Sequence, residues 1–282
     1  MVAQSIPEVP NDREVVGTFL LIEAWRMLAA ARGAALEVNH LVRSCPGPAT
    51  DKPRRAARGW MLSYSDGTGL QVRGPRPVVV DLYLPDQREV NTEMLRRQGP
   101  LTAMVMAVTE YTPIHAAGIQ TPRGFLALAA PSGGGKSTVA SLAHANGWAI
   151  AGDDLLAMDD DLTILPLPGS LRADAPWMKA ANAITADGRR FVPLAPLPAK
   201  QKLMALATLA RGSAPQLAPV RGGERLAILA HAMLAGFLSD HEELVLDHAA
   251  GIPVHRLTVP GDLAALRTSW PTVRNMLEAA CG

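Results

Sequence analysis

One stretch, residues 125–154, constrains the fold of this chain more than any other. Its first apolar run, residues 125–129, is typical of a buried strand, and a glycine-rich loop follows directly. Apolar side chains at helical spacing come next, and then a second apolar run over residues 148–151. The adjacent acids Asp153 and Asp154 close the stretch. This order of strand, loop, helix, strand and acidic pair predicts an α/β domain.

The loop matches the pattern G-x-x-x-x-G-K-[ST] at every position except the first, where Ala130 replaces glycine. Glycines in such a loop let backbone N–H groups turn inward around phosphate oxygens, and the positive end of the following helix adds to the attraction. We therefore expect Lys136 to be exposed and to reach the β- and γ-phosphates of ATP, and the Ser137 hydroxyl to bind Mg²⁺. The predicted nucleotide-binding residues are Ser132, Gly133, Gly134, Gly135, Lys136, Ser137 and Thr138.

The acidic pair predicts two roles at the end of its strand, which we expect to run beside the strand that precedes the loop. A nucleotide-bound Mg²⁺ needs a carboxylate ligand, and phosphate transfer to a hydroxyl needs a base aimed at that hydroxyl. Adjacent side chains can serve both roles, with Asp153 facing the metal and Asp154 facing the acceptor. The alternative is a solvated turn, because Gly-Asp-Asp is also common turn chemistry. The glycine loop upstream favours the functional interpretation.

Three features together resemble the HPr serine kinase/phosphorylase family: His115 in the segment PIHAA, the loop SGGGKS, and Gly-Asp-Asp after Gly147. The spacing between them also agrees with that family, and the resemblance covers residues 110–160 well and the rest weakly. It implies an α/β P-loop fold of the HPr-kinase/PEP-carboxykinase type. It also implies catalytic roles for His115, Lys136 and Asp154, with Asp154 accepting the proton of a substrate serine. The implied activity is a kinase acting on a serine hydroxyl of a peptide or small protein.

The chain also departs from that family. Thr138 follows the loop serine where relatives usually carry glutamate, and Ser170-Leu171-Arg172 stands where they carry Glu-Ile-Arg with a metal-binding glutamate. That ligand is therefore missing or comes from another residue such as Asp174, whereas Arg172 keeps the place of the family's arginine and is expected to contact phosphate or substrate. The long glycine-rich segment of the bifunctional enzymes is absent, which argues against phosphorylase activity and against HPr as the substrate.

The acceptor that this resemblance favours is a peptide. Small stand-alone proteins of this type resemble the kinases of peptide-biosynthesis clusters, including those that phosphorylate the C-terminal serine of a lasso-peptide precursor. Two alternatives stay open. One is a regulatory kinase that acts on a folded carrier protein such as HPr. The other is a nucleotide-binding regulator without catalytic activity, suggested by the missing glutamate but opposed by the retained acidic pair.

Composition excludes several classes of protein. The 282 residues are 48% hydrophobic and 19% charged with a formal net charge of +1, which fits an ordinary soluble protein without a nucleic-acid partner. Cys45 and Cys281 follow no metal or redox spacing, so we expect a reducing, cytoplasmic location. The N-terminus lacks a signal-peptide pattern, and Glu23 and Arg26 interrupt its most apolar stretch, so we expect no membrane partner. Homo-oligomerisation is left open.

The chain is expected to divide into a small N-terminal lobe of mixed, β-containing structure, residues 1–90, and a catalytic domain, residues 91–282. The alternation of apolar and polar residues and the turn signals in the lobe favour strands and hairpins. The elements predicted up to residue 108 are a helix or a strand running into a helix over 15–31, a hairpin over 60–72, a strand over 78–84 and a helix over 90–108.

In the catalytic domain, residues 113–119 are expected to form one strand carrying His115, whose spacing to the loop lysine favours a place near the phosphates. Residues 166–198 are expected to be loop-rich, mobile without substrate and close to the γ-phosphate, because long connections without periodicity tend to be functional. In that region the pair Arg189-Arg190 forms either a substrate contact or a solvated turn. The remaining predicted elements are a turn over 159–161, a strand over 202–210, a helix over 223–238, a strand over 254–259 and an Asp262-capped helix over 263–280.

Overall fold

A computed structural model of the chain describes residues 13–50, 52–85, 98–172, 174–178, 183–186, 189–233 and 251–282. Its helices are α1 (Arg13–Ala31), α2 (Gln98–Val108), α3 (Lys136–Ala145), α4 (Gly222–Ala232), α5 (Leu263–Thr268) and α6 (Trp270–Ala280). The first strands are β1 (Leu36–Leu41), β2 (Arg54–Ala56), β3 (Gly59–Ser63), β4 (Gly69–Arg73), β5 (Val78–Tyr83), β6 (Thr112–Ile114), β7 (Ala117–Thr121), β8 (Gly124–Ala129) and β9 (Ala149–Gly152). They are followed by β10 (Leu156–Met158), β11 (Thr163–Ile164), β12 (Gly169–Arg172), β13 (Ile184–Ala186), β14 (Arg189–Leu194), β15 (Gln201–Gly212), β16 (Gln216–Pro219) and β17 (Val254–Pro260).

The largest sheet holds strand β8 in its interior. Among the described residues it has nine strands, in the order β6-β10-β11-β15-β8-β7-β9, with β17 beside β15 and β16 beside β17. β8 pairs parallel with β15 and antiparallel with β7, and β15 pairs parallel with β17. The parallel strands end at one edge of the sheet, and the glycine loop follows β8 at that edge. The mixed α/β class predicted from the sequence is thus what the structure shows.

Each face of this sheet has its own core. On one face, Leu126 and Leu128 pack with helices α3 and α6. On the other face, Phe125 and Ala127 pack with α4. Because successive side chains of a strand point to opposite faces, the continuous apolar run of β8 is the pattern of a strand covered on both sides. Each fully buried leucine stabilises the fold by roughly 1.5–3 kcal/mol.

A second sheet, in the order β1-β5-β4-β3-β2, packs against α1 and α2. The Nε1–H of Trp25 in α1 donates a hydrogen bond to Oγ1 of Thr102 in α2, at 3.1 Å. Leu165 and Leu167, from much later in the chain, belong to the same core. Helix α2 therefore lies beyond the predicted lobe boundary but packs in the core of the N-terminal sheet. The division at residue 90 itself lies outside the described residues and stays a prediction.

Several local expectations are confirmed. The hairpin is formed by β3 and β4, and the predicted strands over 78–84, 202–210 and 254–259 are β5, β15 and β17. Residues 13–31 are helical, which excludes a strand at the start of that stretch. Asp262 caps α5 by accepting a hydrogen bond from the backbone N–H of Ala265 at 2.7 Å. The helices predicted over 90–108 and 223–238 are present as α2 and α4, and α4 ends at Ala232 with Met233 as its C-cap. Residues 90–97 and 234–238 lie outside the described residues.

Four expectations are wrong. Residues 113–119 do not form one strand, because β6 ends at Ile114, β7 begins at Ala117, and the two lie at different places in the sheet. Strand β9 does not lie beside β8, because β7 lies between them. Residues 166–198 are not loop-rich, since they contain the antiparallel sheet β12-β14-β13. The helix over 263–280 is broken at Ser269, just before Pro271, which cannot donate a backbone hydrogen bond.

None of the helices among the described residues is long and apolar enough to cross a membrane.

Candidate functional site

The glycine loop joins β8 to α3 and requires glycine at each of its three central positions. Gly133 and Gly135 have φ angles of 76° and 97°, in the left-handed region that favours glycine. A Cβ at Gly134 would lie 2.9 Å from the Cβ of Ala130 and 2.9 Å from the carbonyl oxygen of Pro131. The residue that departs from the motif, Ala130, therefore forbids any side chain at position 134. The predicted strand, loop and helix are all present, and phosphate binding there stays a prediction.

Lys136 begins α3 and is buried, with 8% of its surface exposed. The expectation that this lysine is exposed is therefore wrong. Its Nζ donates a hydrogen bond to Oδ1 of Asp154, at 3.3 Å. Because an ammonium group removed from water needs a compensating charge, this ion pair explains how Lys136 tolerates burial.

His115 occupies the gap between β6 and β7. Its backbone N–H donates to the carbonyl oxygen of Ala232, the last residue of α4, at 2.6 Å. Its Nε2 lies 3.0 Å from Oδ1 of Asp154, the same oxygen that binds Lys136. The structure thus brings together three of the four predicted catalytic side chains, and the break in the predicted strand is where the histidine lies.

The carboxyl group of Asp154 is held in its ionised form. Desolvation by surrounding atoms raises its pKa, but the hydrogen bond with His115 and the positive charge of Lys136 outweigh that effect and lower the pKa to about 2. The side chain is nevertheless 64% exposed. The carboxylate beside the glycine loop is thus ionised and accessible, as a proton acceptor must be, while its low pKa makes it a weaker base than a carboxylate whose pKa lies near the working pH.

Asp153, the preceding residue, lies in a different environment and is only 7% exposed. Its Oδ2 accepts a hydrogen bond from the backbone N–H of Arg172 at 3.3 Å, whereas its Oδ1 has no hydrogen-bond partner in the described part of the chain. Burial raises the pKa of this carboxyl group, although the Ser137 hydroxyl, the Arg172 N–H and the charge of Lys136 oppose the shift. A buried carboxylate with an unpaired oxygen is costly unless another group binds to it.

Ser137 and Asp153 fit a magnesium ion. Mg²⁺ is usually held by one or two protein oxygens, with phosphate oxygens and water completing its shell. The hydroxyl of Ser137 and the unpaired Oδ1 of Asp153 are oxygen donors of the kind it prefers. The described residues contain no cluster of three or more His, Cys, Asp or Glu side chains able to hold a metal ion. A Mg²⁺ held by these two oxygens would complete its shell with phosphate oxygens and water.

Arg172 reaches the acidic pair through its backbone, and its guanidinium points elsewhere. Its Nε forms an ion pair with Oδ2 of Asp174 at 3.2 Å. The other oxygen of Asp174 accepts a hydrogen bond from the backbone N–H of Arg190 at 3.4 Å. Both oxygens of Asp174 are thus engaged, so this residue would have to give up a contact to replace the missing glutamate. A phosphate contact by the Arg172 side chain stays a prediction.

The segment after β12 is anchored to α3. Nε1–H of Trp177 donates to Oγ of Ser141 at 3.0 Å, and that hydroxyl donates to the carbonyl oxygen of Thr138 at 2.8 Å. Trp177 also packs against the core that contains α3. The region predicted to border the γ-phosphate is therefore tied to the helix that follows the glycine loop, while its mobility stays a prediction.

Arg211 was not anticipated from the sequence. It lies near the end of β15, and its Nη1 donates to the carbonyl oxygen of Pro260 at 3.2 Å. A Cβ at Gly135 would lie 2.4 Å from its Nη2, so the guanidinium lies against the glycine loop. A guanidinium at that place can neutralise a phosphate group. The parallel pairing of β15 with β8 brings Arg211 to the loop. A single arginine at the end of a predicted strand does not indicate from the sequence alone that it lies near the loop.

The remaining predicted nucleotide-binding residues lie on the same connection. Ser132 and Gly133 are exposed, whereas Ser137 and Thr138 are half-buried in the first turn of α3. Exposure at the start of the loop and burial at its end leave the loop open on the solvent side.

No family model matches the chain, and no curated protein matches it. Among solved structures, it is similar to the Hpr(Ser) kinase/phosphatase from Coxiella burnetii, at 13% sequence identity and a TM-score of 0.32. That match covers 59% of this chain and 98% of the other. A likeness of this size carries no argument about activity, so the functional case rests on the residues of the site.

Proposed function

We propose that this protein is a Mg·ATP-dependent kinase that transfers the γ-phosphate to a serine hydroxyl of a peptide. The observation that carries the proposal is the carboxylate of Asp154, whose Oδ1 contacts both His115 and Lys136 beside the glycine loop. These contacts keep the carboxylate ionised, and its Oδ2 makes no hydrogen bond to the residues that the structure describes. An ordinary solvated turn, the alternative suggested by Gly-Asp-Asp, needs neither contact.

The chemistry follows from these positions. Oδ2 of Asp154 accepts the proton of the acceptor hydroxyl while the hydroxyl oxygen bonds to the γ-phosphorus and the bond to the leaving oxygen of ADP breaks. His115 holds the carboxylate in place. Lys136 and Arg211 neutralise negative charge on the transferred group. When bound, Mg²⁺ supplies further charge neutralisation, and Ser137 and Asp153 would hold it.

Within this class, we propose the C-terminal serine of a lasso-peptide precursor as the acceptor. Support comes from the resemblance of His115, the glycine loop and the acidic pair to HPr-kinase-like proteins, together with the absence of the glycine-rich phosphorylase segment. The exposure of Asp154 is compatible with a flexible peptide end reaching the base. The alternatives are a folded carrier protein of the HPr type and a regulator that binds nucleotide without catalysis.

The test incubates the protein with Mg·ATP and each of two acceptors, a serine-terminated precursor peptide and HPr, and detects added phosphate by mass spectrometry. Two matched controls are the same peptide ending in alanine and the variant Asp154→Asn. We expect one phosphate on the serine-terminated peptide and none in either control. Phosphate on HPr alone would overturn the peptide acceptor. Nucleotide binding without transfer to either acceptor would favour the regulator.

A further inference from the structure

The two oxygens of Asp154 are not equivalent. Oδ1 takes both the His115 and the Lys136 contacts, whereas Oδ2 makes no hydrogen bond to any residue that the structure describes. The residue in front of Oδ2 is Gly99, where an added Cβ would lie 3.9 Å from that oxygen. Gly99 belongs to α2, the helix that packs in the core of the N-terminal sheet. Among the described residues, this second oxygen thus faces an element from outside the sheet that contains β8.

Gly99 lies in α2 directly before Pro100. The ring of a proline clashes with the Cβ of a preceding residue in helical conformation, so glycine suits this position for a backbone reason as well. Among the described residues, and apart from its chain neighbours, a Cβ at position 99 would meet only Oδ2 of Asp154, and 3.9 Å is an ordinary van der Waals contact. A side chain larger than glycine would therefore stand directly in front of that oxygen.

That space is where an acceptor must bind. A base takes a proton from a hydroxyl whose oxygen lies about 2.6–3.2 Å away. With Oδ1 already engaged, the hydroxyl has to approach Oδ2, and a methyl group 3.9 Å from the same oxygen would compete with it for that place. Water, which is smaller than a hydroxymethyl group, would still fit.

We infer that Gly99 is a specificity-determining residue, because it forms the wall of the acceptor site opposite Oδ2 of Asp154. The acceptor is an unhindered primary alcohol, such as a serine side chain, that enters between α2 and the acidic pair. Its proton passes to Oδ2 as its oxygen bonds to the γ-phosphorus and ADP leaves. The inference rests on the proposed kinase function and adds that the N-terminal sheet, through α2, helps to select the acceptor.

The experiment compares Gly99→Ala and Gly99→Leu with a matched control, Gly223→Ala. Gly223 lies near the start of α4 as Gly99 lies near the start of the described part of α2, and an added Cβ at Gly223 would meet no heavy atom of a described residue within 4 Å. Each variant is measured for thermal unfolding, Mg·ATP affinity, ATP hydrolysis without acceptor, and phosphate transfer to a pool of serine-terminated synthetic peptides.

All three variants are expected to bind Mg·ATP with wild-type affinity. Gly223→Ala, which lies outside the proposed site, should also hydrolyse ATP at the wild-type rate and unfold at or above the wild-type temperature. Transfer to the peptides should fall in Gly99→Ala and by roughly a hundredfold or more in Gly99→Leu, since misplacing a reacting group by about an ångström has that effect. Gly223→Ala should transfer normally. The comparison of transfer with Mg·ATP affinity is decisive, because a merely structural change would lower both.

Wild-type transfer by Gly99→Leu would overturn the inference. A parallel loss of Mg·ATP affinity in the Gly99 variants would also overturn it, since Gly99 would then support the nucleotide site or the fold. Failure of the proposed function gives a different result, because the wild-type protein itself would then transfer phosphate neither to the peptides nor to HPr. In that case the acceptor site would be rejected as well.

Discussion

The candidate site has two sides with opposite properties. The nucleotide side consists of the glycine loop, Ser137 and Asp153, and the acceptor side consists of His115, Asp154 and Gly99. Asp153 is 7% exposed, and burial raises the pKa of its carboxyl group. The side chain of Asp154 is 64% exposed, and its partners lower its pKa to about 2. Two consecutive carboxyl groups thus differ in hydration, in partners and in proton affinity.

Because the two aspartates differ in this way, we expect nucleotide binding and phosphate transfer to depend on different residues. A buried carboxylate with an unpaired oxygen is unfavourable unless another group binds to it, so on the proposed function the nucleotide side is completed by its ligand. The exposed carboxylate of Asp154 is already ionised and positioned in the free protein. Substitutions on the two sides should therefore fail in different assays. Lys136 lies between the sides, because it follows the glycine loop and contacts Asp154.

The largest effect is expected for Lys136→Met, which acts on both sides at once. Methionine keeps most of the buried volume, so the fold should survive. Phosphate transfer should fall by roughly a thousandfold or more, the size found for charges that act on a transferred phosphoryl group. Turnover and nucleotide affinity would be measured together, with circular dichroism as the control for folding. Unchanged turnover would remove the nucleotide assignment of the loop.

Asp154→Asn tests whether the acceptor side is separate. Transfer should slow by at least about a hundredfold, the usual contribution of a general base, while Mg·ATP affinity stays at the wild-type value. Single-turnover transfer and calorimetric titration with Mg·ATP give the two numbers. A comparable loss of affinity would instead make Asp154 a metal ligand, and the roles of the two aspartates would have to be exchanged.

Arg211→Met tests whether Arg211 belongs to the nucleotide side of the candidate site. Hydrogen bonds to charged groups contribute about 1.5–3 kcal/mol, which corresponds to a rate loss of roughly ten- to a hundredfold. Arg211→Lys should recover part of that loss, since it restores the charge without the planar guanidinium. Steady-state kinetics on both variants would show the effect. Wild-type kinetics in Arg211→Met would mean that the guanidinium only packs against Gly135.

The smallest effect is expected for Asp153→Asn, and it is a gain in stability, whereas the preceding substitutions lower activity. Because burial raises the pKa of Asp153, the folded protein binds that proton more tightly than the unfolded chain, and the fold loses stability as pH rises through this pKa. Asp153→Asn removes the charge and can keep the hydrogen bond from the backbone of Arg172. Without magnesium at pH 7, its unfolding temperature should rise by about 2–4 °C for each kcal/mol gained.

Calorimetric melting at several pH values would check this prediction. The difference between Asp153→Asn and wild type should shrink in acid, where the wild-type carboxyl is itself neutral. Mg·ATP should stabilise the wild-type protein and not the variant. A variant that melts below the wild type at pH 7 would show that Asp153 has partners that compensate its burial in the free protein.

Local patterns in the sequence predicted the parts of the fold that depend on neighbouring residues. The apolar run of β8, the glycine loop and α3 are such parts, because strand burial, turn conformation and helix periodicity are set within a few residues. The resemblance to the HPr kinase family, including the spacing of these residues, predicted one site for His115, Lys136 and Asp154, and the structure brings the three together.

Contacts between distant segments could not be predicted in this way. The break at His115 depends on the carbonyl oxygen of Ala232, which belongs to a helix far along the chain. Arg211 reaches the loop because β15 pairs with β8, and β9 is displaced from β8 because β7 lies between them. The burial of Lys136 follows from its pairing with Asp154. Each of these features depends on strand order or long-range packing, which hydrophobic periodicity does not encode.

The hydrogen-bonded chain from Trp177 through Ser141 to the carbonyl of Thr138 has a practical consequence for spectroscopy. It connects an indole ring to the end of the glycine loop, so a shift of that loop changes the polarity around the ring. Trp148 and Trp270 lie in edge-to-face contact with each other and supply a separate background. Intrinsic fluorescence that responds to nucleotide in the wild-type protein, and not in Trp177→Phe, would give a label-free signal for titrating every variant described above.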